Sequence, residues 1–411
     1  MFTIYFFAIK FYYFLIWIFS FFNNKAEKWI KGRKNWRTQF QPNSTKKRIW
    51  FHFASLGEFE QGKPLLQAVR NHFPEKEILI TFFSPSGYEI RKNTPLADIV
   101  LYLPLDTPKN AKDFINLFKP EIAIFNKYEY WYCFFEALHK QQIPIYITSS
   151  IFRANQIFFK FYGGFNRRIL GFVNHFFVQN KESGMLLESI GFSNYTLSGD
   201  TRFDSVLDLV KNKKEFPLID DFKRDKKLVI TGSTWPEDEA FLKNCPFLKS
   251  DAWKLIIAPH EISENHLQTI ESYFEGHSIR YSELAKLQSD KENNIKILII
   301  DNIGMLSSLY SYGEIAYIGG GFGAGIHNTL EPAAWGLPVI FGPKHDKFQE
   351  AKDLVRFEGG FTFSNQNDLN NIFNRLIDDE VWRRQSGKIA KDYVAKNTGA
   401  TQIIMQQIFK Y

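Results

Sequence analysis

Five glycines, Gly319, Gly320, Gly321, Gly323 and Gly325, follow the apolar stretch EIAYI and precede the run His327-Asn328-Thr329-Leu330-Glu331. Without Cβ atoms, such a loop lets backbone N–H groups close on an anion. Asn328 is of the right type for a helix N-cap, and Glu331 falls three residues later. A helix beginning there turns its positive end toward the glycines, which suits a mono- or diphosphate. A second carboxylate, Glu58, stands in FHFASLGEFEQGKPLL (51–66), three residues after Ser55 with Gly57 easing the turn. Both spacings are also those of a capping box, so the pattern alone leaves ligand chemistry and helix capping open together. No Asp-X-Asp element stands beside the glycine run, and the nine histidines show no ligand-like pair at helical spacing. A metal is therefore not expected.

The elements that must hold these groups are legible as apolar runs. RIWFHFA (48–54), EILITFF (77–83), DIVLYLP (98–104), EIAIFN (121–126), IPIYITSS (143–150), HFFVQN (175–180) and YTLSG (195–199) read as strands separated by amphipathic segments. A second series follows: KLVITGS (227–233), WKLIIAP (253–259), IKILIID (295–301), EIAYIGGG (314–321), LPVIFGP (337–343) and GFTF (360–363). Runs this continuously apolar predict strands covered on both faces by crossover helices, hence parallel sheets. The expectation is two successive doubly wound α/β domains, with a site in the cleft between them at the carboxyl ends of the strands.

Length and composition agree. At 411 residues the chain exceeds one ordinary core, and 45% hydrophobic with 23% charged residues is globular, not disordered. The two cysteines, Cys133 and Cys245, offer neither a disulfide framework nor metal-ligand spacing, which favours a reducing compartment. The 43 phenylalanines fit an AT-rich genome as well as any functional reading. Residues 2–22, FTIYFFAIKFYYFLIWIFSFF, carry one charge, Lys10, and as a helix extend about 31 Å, enough to cross a bilayer. Nine basic residues against one acid follow between Asn23 and Arg48, which puts the chain after residue 23 in the cytoplasm. Three readings stand for the segment: a spanning helix, an interfacial helix with Lys10 snorkelling, or a buried core helix.

With these segments side by side, the chain resembles the 3-deoxy-D-manno-octulosonic acid (Kdo) transferases of lipopolysaccharide biosynthesis. IHNTLEPAAWGLPVIFGP (326–343) reproduces nearly all of the family's donor-binding motif. The SLGE element is similar to the segment around the family's catalytic carboxylate, which falls on Glu58. The resemblance implies a GT-B fold, two Rossmann-like domains facing across a cleft, with CMP-Kdo held by the second. On this reading Glu58 is the base, and Glu129 in KYEYWYC and Arg153 in TSSIFRAN lie on the acceptor side. Donor contacts fall to Ser233, Thr234, His260, Gly304, Met305, Gly320, Gly321, Asn328, Glu331 and Lys344. An inverting transfer gives such a base its work, taking the proton of the attacking sugar hydroxyl as CMP leaves. The start of a helix holds that carboxylate ionised. SGDTRFD (198–204) resembles a segment that closes the first domain near the cleft. Lys344 and Lys347 replace the family's His and Asn, Met305 replaces its Glu, and no arginine stands between Pro259 and His260.

The implied organisation is a membrane anchor over 1–23 and an acceptor-binding domain over 24–210. A polar linker over 211–225, a donor-binding domain over 226–385 and a C-terminal stretch over 386–411 follow, the last helix packing back on the first domain by analogy with GT-B enzymes. The implied partners are CMP-Kdo and a lipid A precursor (lipid IVA) at the cytoplasmic face of the bacterial inner membrane, with no cofactor and no metal. The basic cluster adjoins an apolar anchor and not an aromatic-studded sheet, so an anionic membrane surface suits it better than nucleic acid. The alternatives are a GT-B transferase using another nucleotide sugar for another envelope lipid, and a catalytically inactive membrane-bound scaffold. Retention of Glu58 and Glu331 together argues against the scaffold.

Overall fold

Every apolar run read above as a strand becomes one. The computed structural model describes residues 2–39, 46–286 and 294–410. The first sheet holds β1 (Arg48–Phe53), β2 (Glu77–Phe82), β3 (Ile99–Tyr102), β4 (Pro120–Asn126), β5 (Ile145–Ser150), β6 (His175–Val178) and β7 (Tyr195–Leu197), all parallel, in the order β3-β2-β1-β4-β5-β6-β7. The second holds β8 (Lys227–Thr234), β9 (Trp253–Pro259), β10 (Ser278–Arg280), β11 (Ile297–Ile299), β12 (Ile315–Ile318), β13 (Val339–Phe341) and β14 (Gly360–Thr362), in the order β10-β11-β9-β8-β12-β13-β14. The fold class is the one expected: two parallel, Rossmann-like sheets. Only β10 has no forerunner in the sequence, because this edge strand carries a single apolar side chain, Ile279.

Strand order decides where a site can form. In each sheet it reverses once among central strands, between β1 and β4 and between β8 and β12. Connections leaving two such neighbours pass to opposite faces and leave a crevice at the carboxyl ends. Ala54–Glu58 leave β1 and Lys127–Trp131 leave β4, while Trp235 leaves β8 and Gly319–Gly321 leave β12. These are the segments that carry most of the candidate groups.

The chain divides into two compact units, Met1–Ser205 with Thr398–Tyr411, and Val206–Asn397. The tail joins the first because Ile404, Met405 and Ile408 of the helix Ala400–Phe409 enter one buried cluster with Leu65, Leu66 and Val69 of the helix Leu56–His72. Asp204 fixes that tail: its two carboxylate oxygens accept the N–H groups of Gly399 and Thr401, each at 2.7 Å. They satisfy donors that a helix start leaves without internal partners. Within 211–225 the structure has a helix, Pro217–Lys223, which buries Ile219 and Phe222. Lys223 ties it to Glu314 at 2.9 Å, inside the second unit.

The helix Phe2–Phe19 is long and apolar enough to cross a membrane, and none of its residues is buried, so it is not a core helix. One side nonetheless meets the first unit. Phe2 packs 5.3 Å from the Tyr132 ring, Tyr5 hydrogen-bonds Asp106, and Tyr12 meets the rings of Trp29 and Phe83. The other side exposes Ile4, Phe7, Phe11 and Phe19. Behind it lies a buried arginine, Arg33, which donates to the carbonyls of Leu103 (2.8 Å), Trp29 (3.0 Å) and Phe83 (2.7 Å). Its guanidinium lies 3.6 Å from the Trp29 ring centre. Burial lowers its pKa to about 9, so it keeps its charge at neutral pH. Arg33→Leu strips three carbonyls of their donor. At about 1–3 kcal/mol for each buried group left unpaired, the first unit is expected to lose roughly 3 kcal/mol or more, read as a lower urea midpoint by circular dichroism. A midpoint equal to that of the unaltered chain contradicts this role.

Candidate functional site

The Glu58 helix begins directly after β1, but not through a capping box. Ser55 is the N-cap, yet its hydroxyl makes no capping bond. Glu58 Oε2 instead accepts the N–H of Ala54 at 2.6 Å, one residue before the cap. Glu129, from the loop after β4, faces the same place. Its Oε2 accepts from Trp131 Nε1 at 3.0 Å and lies 3.2 Å from His52 Nε2. His52 is fully buried in β1, with its Nδ1 2.8 Å from the Thr81 hydroxyl. Burial, and next the charge of Glu129, raise the Glu58 pKa to about 7, against the Ala54 N–H and Lys127. The expectation that the helix start holds Glu58 firmly ionised is therefore corrected. Desolvation and a like charge outweigh the helix end, and the carboxyl is poised near neutrality.

A buried polar network fixes that helix start. Asn126 Nδ2 donates to Glu58 O (3.2 Å) and Gln61 Oε1 (3.3 Å), and Gln61 Nε2 donates to Asp200 Oδ1 (2.6 Å). Thr201 Oγ1 donates to Gln61 O at 2.6 Å and also meets Ser149 Oγ at 2.9 Å. Burial works against the Asp200 charge, but Arg202, 2.8 Å away, and its hydrogen bonds hold its pKa below the usual value. Arg153 is exposed and reaches the site only through Tyr128, to whose hydroxyl Nη1 donates at 3.3 Å.

In the second unit the glycine loop is shaped by contacts no side chain could share. A Cβ on Gly321 would sit 2.5 Å from Gly342 Cα, and one on Gly319 2.3 Å from Ser233 O. Asp238 gathers the loop, accepting Gly320 N and Trp235 N at 2.9 Å each, with Tyr317 Oη at 2.8 Å. His260 lies exposed at the end of β9, its ring 4.7 Å from Trp235 and 4.4 Å from His327. Trp235 Nε1 donates to His327 Nε2 at 3.1 Å. Burial and His260 lower the His327 pKa to about 4, so it is neutral and able to accept.

The remaining donor candidates fall into distinct places. Asn328 is not the N-cap: Thr329 is, and the helix is only Leu330–Trp335. Asn328 Oδ1 accepts Leu330 N at 3.0 Å while its Nδ2 donates to Glu331 Oε1 at 2.9 Å. Thr234 is buried with its hydroxyl turned inward to Glu239 (2.8 Å), which also binds His266 (2.9 Å). Lys344 Nζ donates to the carbonyls of Phe322 (2.7 Å) and Gly323 (3.2 Å), tying down the loop. Gly304, at φ 93°, precedes the one-turn helix Leu306–Leu309, and Met305 is buried. Among the described residues no three His, Cys, Asp or Glu side chains gather as a metal site would need.

Two serines sit in the left-handed region, Ser149 at φ 52° and Ser233 at φ 53°, each where the pairing register shifts at the carboxyl end of a strand. A non-glycine residue held there costs of order 1–3 kcal/mol, and such bulges re-aim groups beside sites. Ser233 was a sequence candidate, but Ser149 was not, nor were His52, Trp131, Trp235 and His327. The available signals were a lone histidine in an otherwise apolar strand and indoles beside the motif residues. A titration tests the first site: a carbon-labelled Glu58 carboxyl is expected to titrate at about 7, and Glu129→Gln to lower that midpoint. A midpoint near the ordinary value of about 4.3 in the unaltered chain contradicts it.

The chain is similar to known proteins in sequence and in fold. Residues 32–205 fit the family model described as 3-Deoxy-D-manno-octulosonic-acid transferase (kdotransferase). A 3-deoxy-D-manno-octulosonic acid transferase of Rickettsia bellii is 28% identical over 335 residues, 80% of this chain and 79% of that protein. That of Aquifex aeolicus is 28% identical over 337 residues, 80% and 86% of the two chains. The UDP-GlcNAc 2-epimerase of Neisseria meningitidis, bound to UDP-GlcNAc, shares the fold at a TM-score of 0.63 with 15% identity, over 89% of this chain and all of that one. Residues 32–205 thus carry the domain of the Kdo transferases, and the chain is similar to Kdo transferases over about 80% of its length.

Proposed function

We propose that this chain moves Kdo from CMP-Kdo to a lipid A precursor with inversion, and that Glu58 takes the proton from the acceptor hydroxyl. The observation that carries the reading is the Glu58 carboxyl, raised to about 7 beside Glu129 at the crossover of β1 and β4. A general base works best with a pKa near the working pH, where it is both ionised and basic enough to take a proton. Glu129 supports that basicity by its charge. Trp131 and His52 hold it in place, so its repulsion of Glu58 is a fixed feature of the site. Arg153, next to Tyr128, is a cation on the acceptor side for a carboxylate or phosphate of the substrates.

The second unit supplies the donor groups: the Gly319–Gly321 backbone, Asn328 with Glu331, and His260 in its aromatic stack. Ser233 and the backbone of Gly304 and Met305 flank them. Lys344 and Thr234 act here by shaping the loop and its base, because their polar ends are engaged by the protein. The apolar helix and the basic residues after it support attachment to the cytoplasmic face of an anionic membrane.

The test is transfer itself. Membranes holding the full chain, given CMP-Kdo and tetraacyl-disaccharide phosphate, are expected to yield a Kdo-bearing lipid by mass analysis. kcat/KM should climb as pH rises through about 7, because only the ionised base acts. Glu58→Gln is expected to lower turnover by about 10²–10⁴-fold, and a folded Glu58→Gln protein with near-normal turnover removes it from the mechanism. CMP, and not UDP, is expected to protect the chain against thermal unfolding. The reverse preference sinks the CMP-Kdo assignment in favour of another nucleotide sugar.

A further inference from the structure

Where the helix Phe2–Phe19 lies along the first unit it leaves a cavity of about 330 Å³. Ile9 and Tyr12 line it from the helix, and Phe83, Leu105 and Trp131 from the domain. The polar atoms of this wall are engaged elsewhere. Leu103 O and Phe83 O accept from Arg33, and Leu105 O accepts from Thr107 N at 2.8 Å and Asn110 Nδ2 at 2.9 Å. The carboxylate of Asp106, also in the lining, takes Tyr5 Oη, Cys133 N at 3.1 Å and Phe134 N at 3.0 Å. Apart from the Tyr12 hydroxyl on the helix side, what the cavity offers is hydrocarbon and ring, and a polar guest would find little to pair with there.

Two continuities say what covers this wall. The helix that forms one side turns Ile4, Phe7 and Phe11 outward, as a surface facing lipid does. At the domain side Trp131 serves two places at once: its ring lines the cavity, and its Nε1 donates to Glu129 in the Glu58 site. An amphiphile with its sugar at Glu58 and its tails in the bilayer must pass an apolar surface of this kind. With a water-sized group taking roughly 30 Å³ in the liquid, the space admits on the order of ten methylenes. We propose that this cavity is a slot for one fatty acyl chain of the acceptor lipid, running from the N-terminal helix to the indole that holds Glu129. The inference rests on the transfer reading above for the identity of the acceptor.

The test compares two acceptors, the tetraacyl-disaccharide phosphate and the same disaccharide phosphate without acyl chains, using the full-length protein. Ile9→Trp and Leu105→Trp fill the slot, whereas Phe7→Trp changes only the outward face. The two filling variants are expected to raise KM for the acylated acceptor about tenfold, since each excluded methylene weakens binding, and to leave kcat/KM for the deacylated one unchanged. Phe7→Trp is expected to match the unaltered enzyme on both. Equal effects of Ile9→Trp and Phe7→Trp, or none from any variant, overturn the slot. Independently of turnover, an acceptor bearing a photoactivatable acyl chain is expected to label the peptide holding Leu103–Asp106 or Trp131. Labelling confined to Phe7 and Phe11 overturns the proposal even if a filling variant fails to fold. An enzyme that modifies neither acceptor sinks the transfer reading, while the labelling still decides the slot.

Discussion

Two carboxylates, Glu58 and Glu129, meet where β1 and β4 part, and their repulsion in a half-buried place is the constraint on which the first unit is built. Like charges so placed are unfavourable unless something holds both. Glu58 is held by one N–H, that of Ala54, and Glu129 by an indole and an imidazole. Asn126, Gln61, Asp200 and Thr201 then lock the backbone that carries Glu58. Each of these groups is buried and hydrogen-bonded, so loss of any one leaves another unsatisfied. The network thus holds the backbone of Glu58 in the place where burial first, and the charge of Glu129 second, raise its pKa.

The second unit solves a different problem with backbone. Its loop after β12 must approach β8 and β13 more closely than any side chain permits, and Gly319, Gly321 and Gly342 make that approach possible. Asp238 supplies the charge that draws in the loop's N–H groups, and Lys344 does the same for its carbonyls. Residues that a motif suggests as ligand contacts are thereby divided. Some face outward, as Asn328 and His260 do, and others hold the frame that lets those face outward.

How much of this the sequence contains depends on distance along the chain. Strands are local, and apolar runs buried on both faces announce them without help; the polar edge strand β10 is the exception that follows from the same rule. The carboxylates were visible but ambiguous, because a helix start after a strand looks alike whether its Glu caps or catalyses. The structure shows that Ser55 makes no capping bond and that Glu58 accepts the Ala54 N–H instead, so this spacing does not form a reciprocal capping box. Asp204 shows the limit in another way. It was read as closing the first domain, yet its partners, Gly399 and Thr401, lie 195 and 197 residues away. No local pattern encodes such a bond. The Thr234 hydroxyl likewise turns toward Glu239, a choice set by burial and not by the motif around it.

The aromatic excess, which composition alone leaves unexplained, acquires a role at the N-terminal helix. Tyr12 stacks with Phe83 at 6.3 Å, and Phe83 with Trp131 at 5.0 Å. Trp131 in turn holds Glu129. Arg33 binds the Phe83 carbonyl and lies over the Trp29 ring, so it fixes the middle of this row with hydrogen bonds to neutral groups only. A carboxylate partner there would have neutralised it and added a strongly hydrated group to an apolar seam. Carbonyls and π faces keep the cation while leaving the seam dry. The apolar N-terminal helix and Glu129 are therefore joined by one row of packed rings.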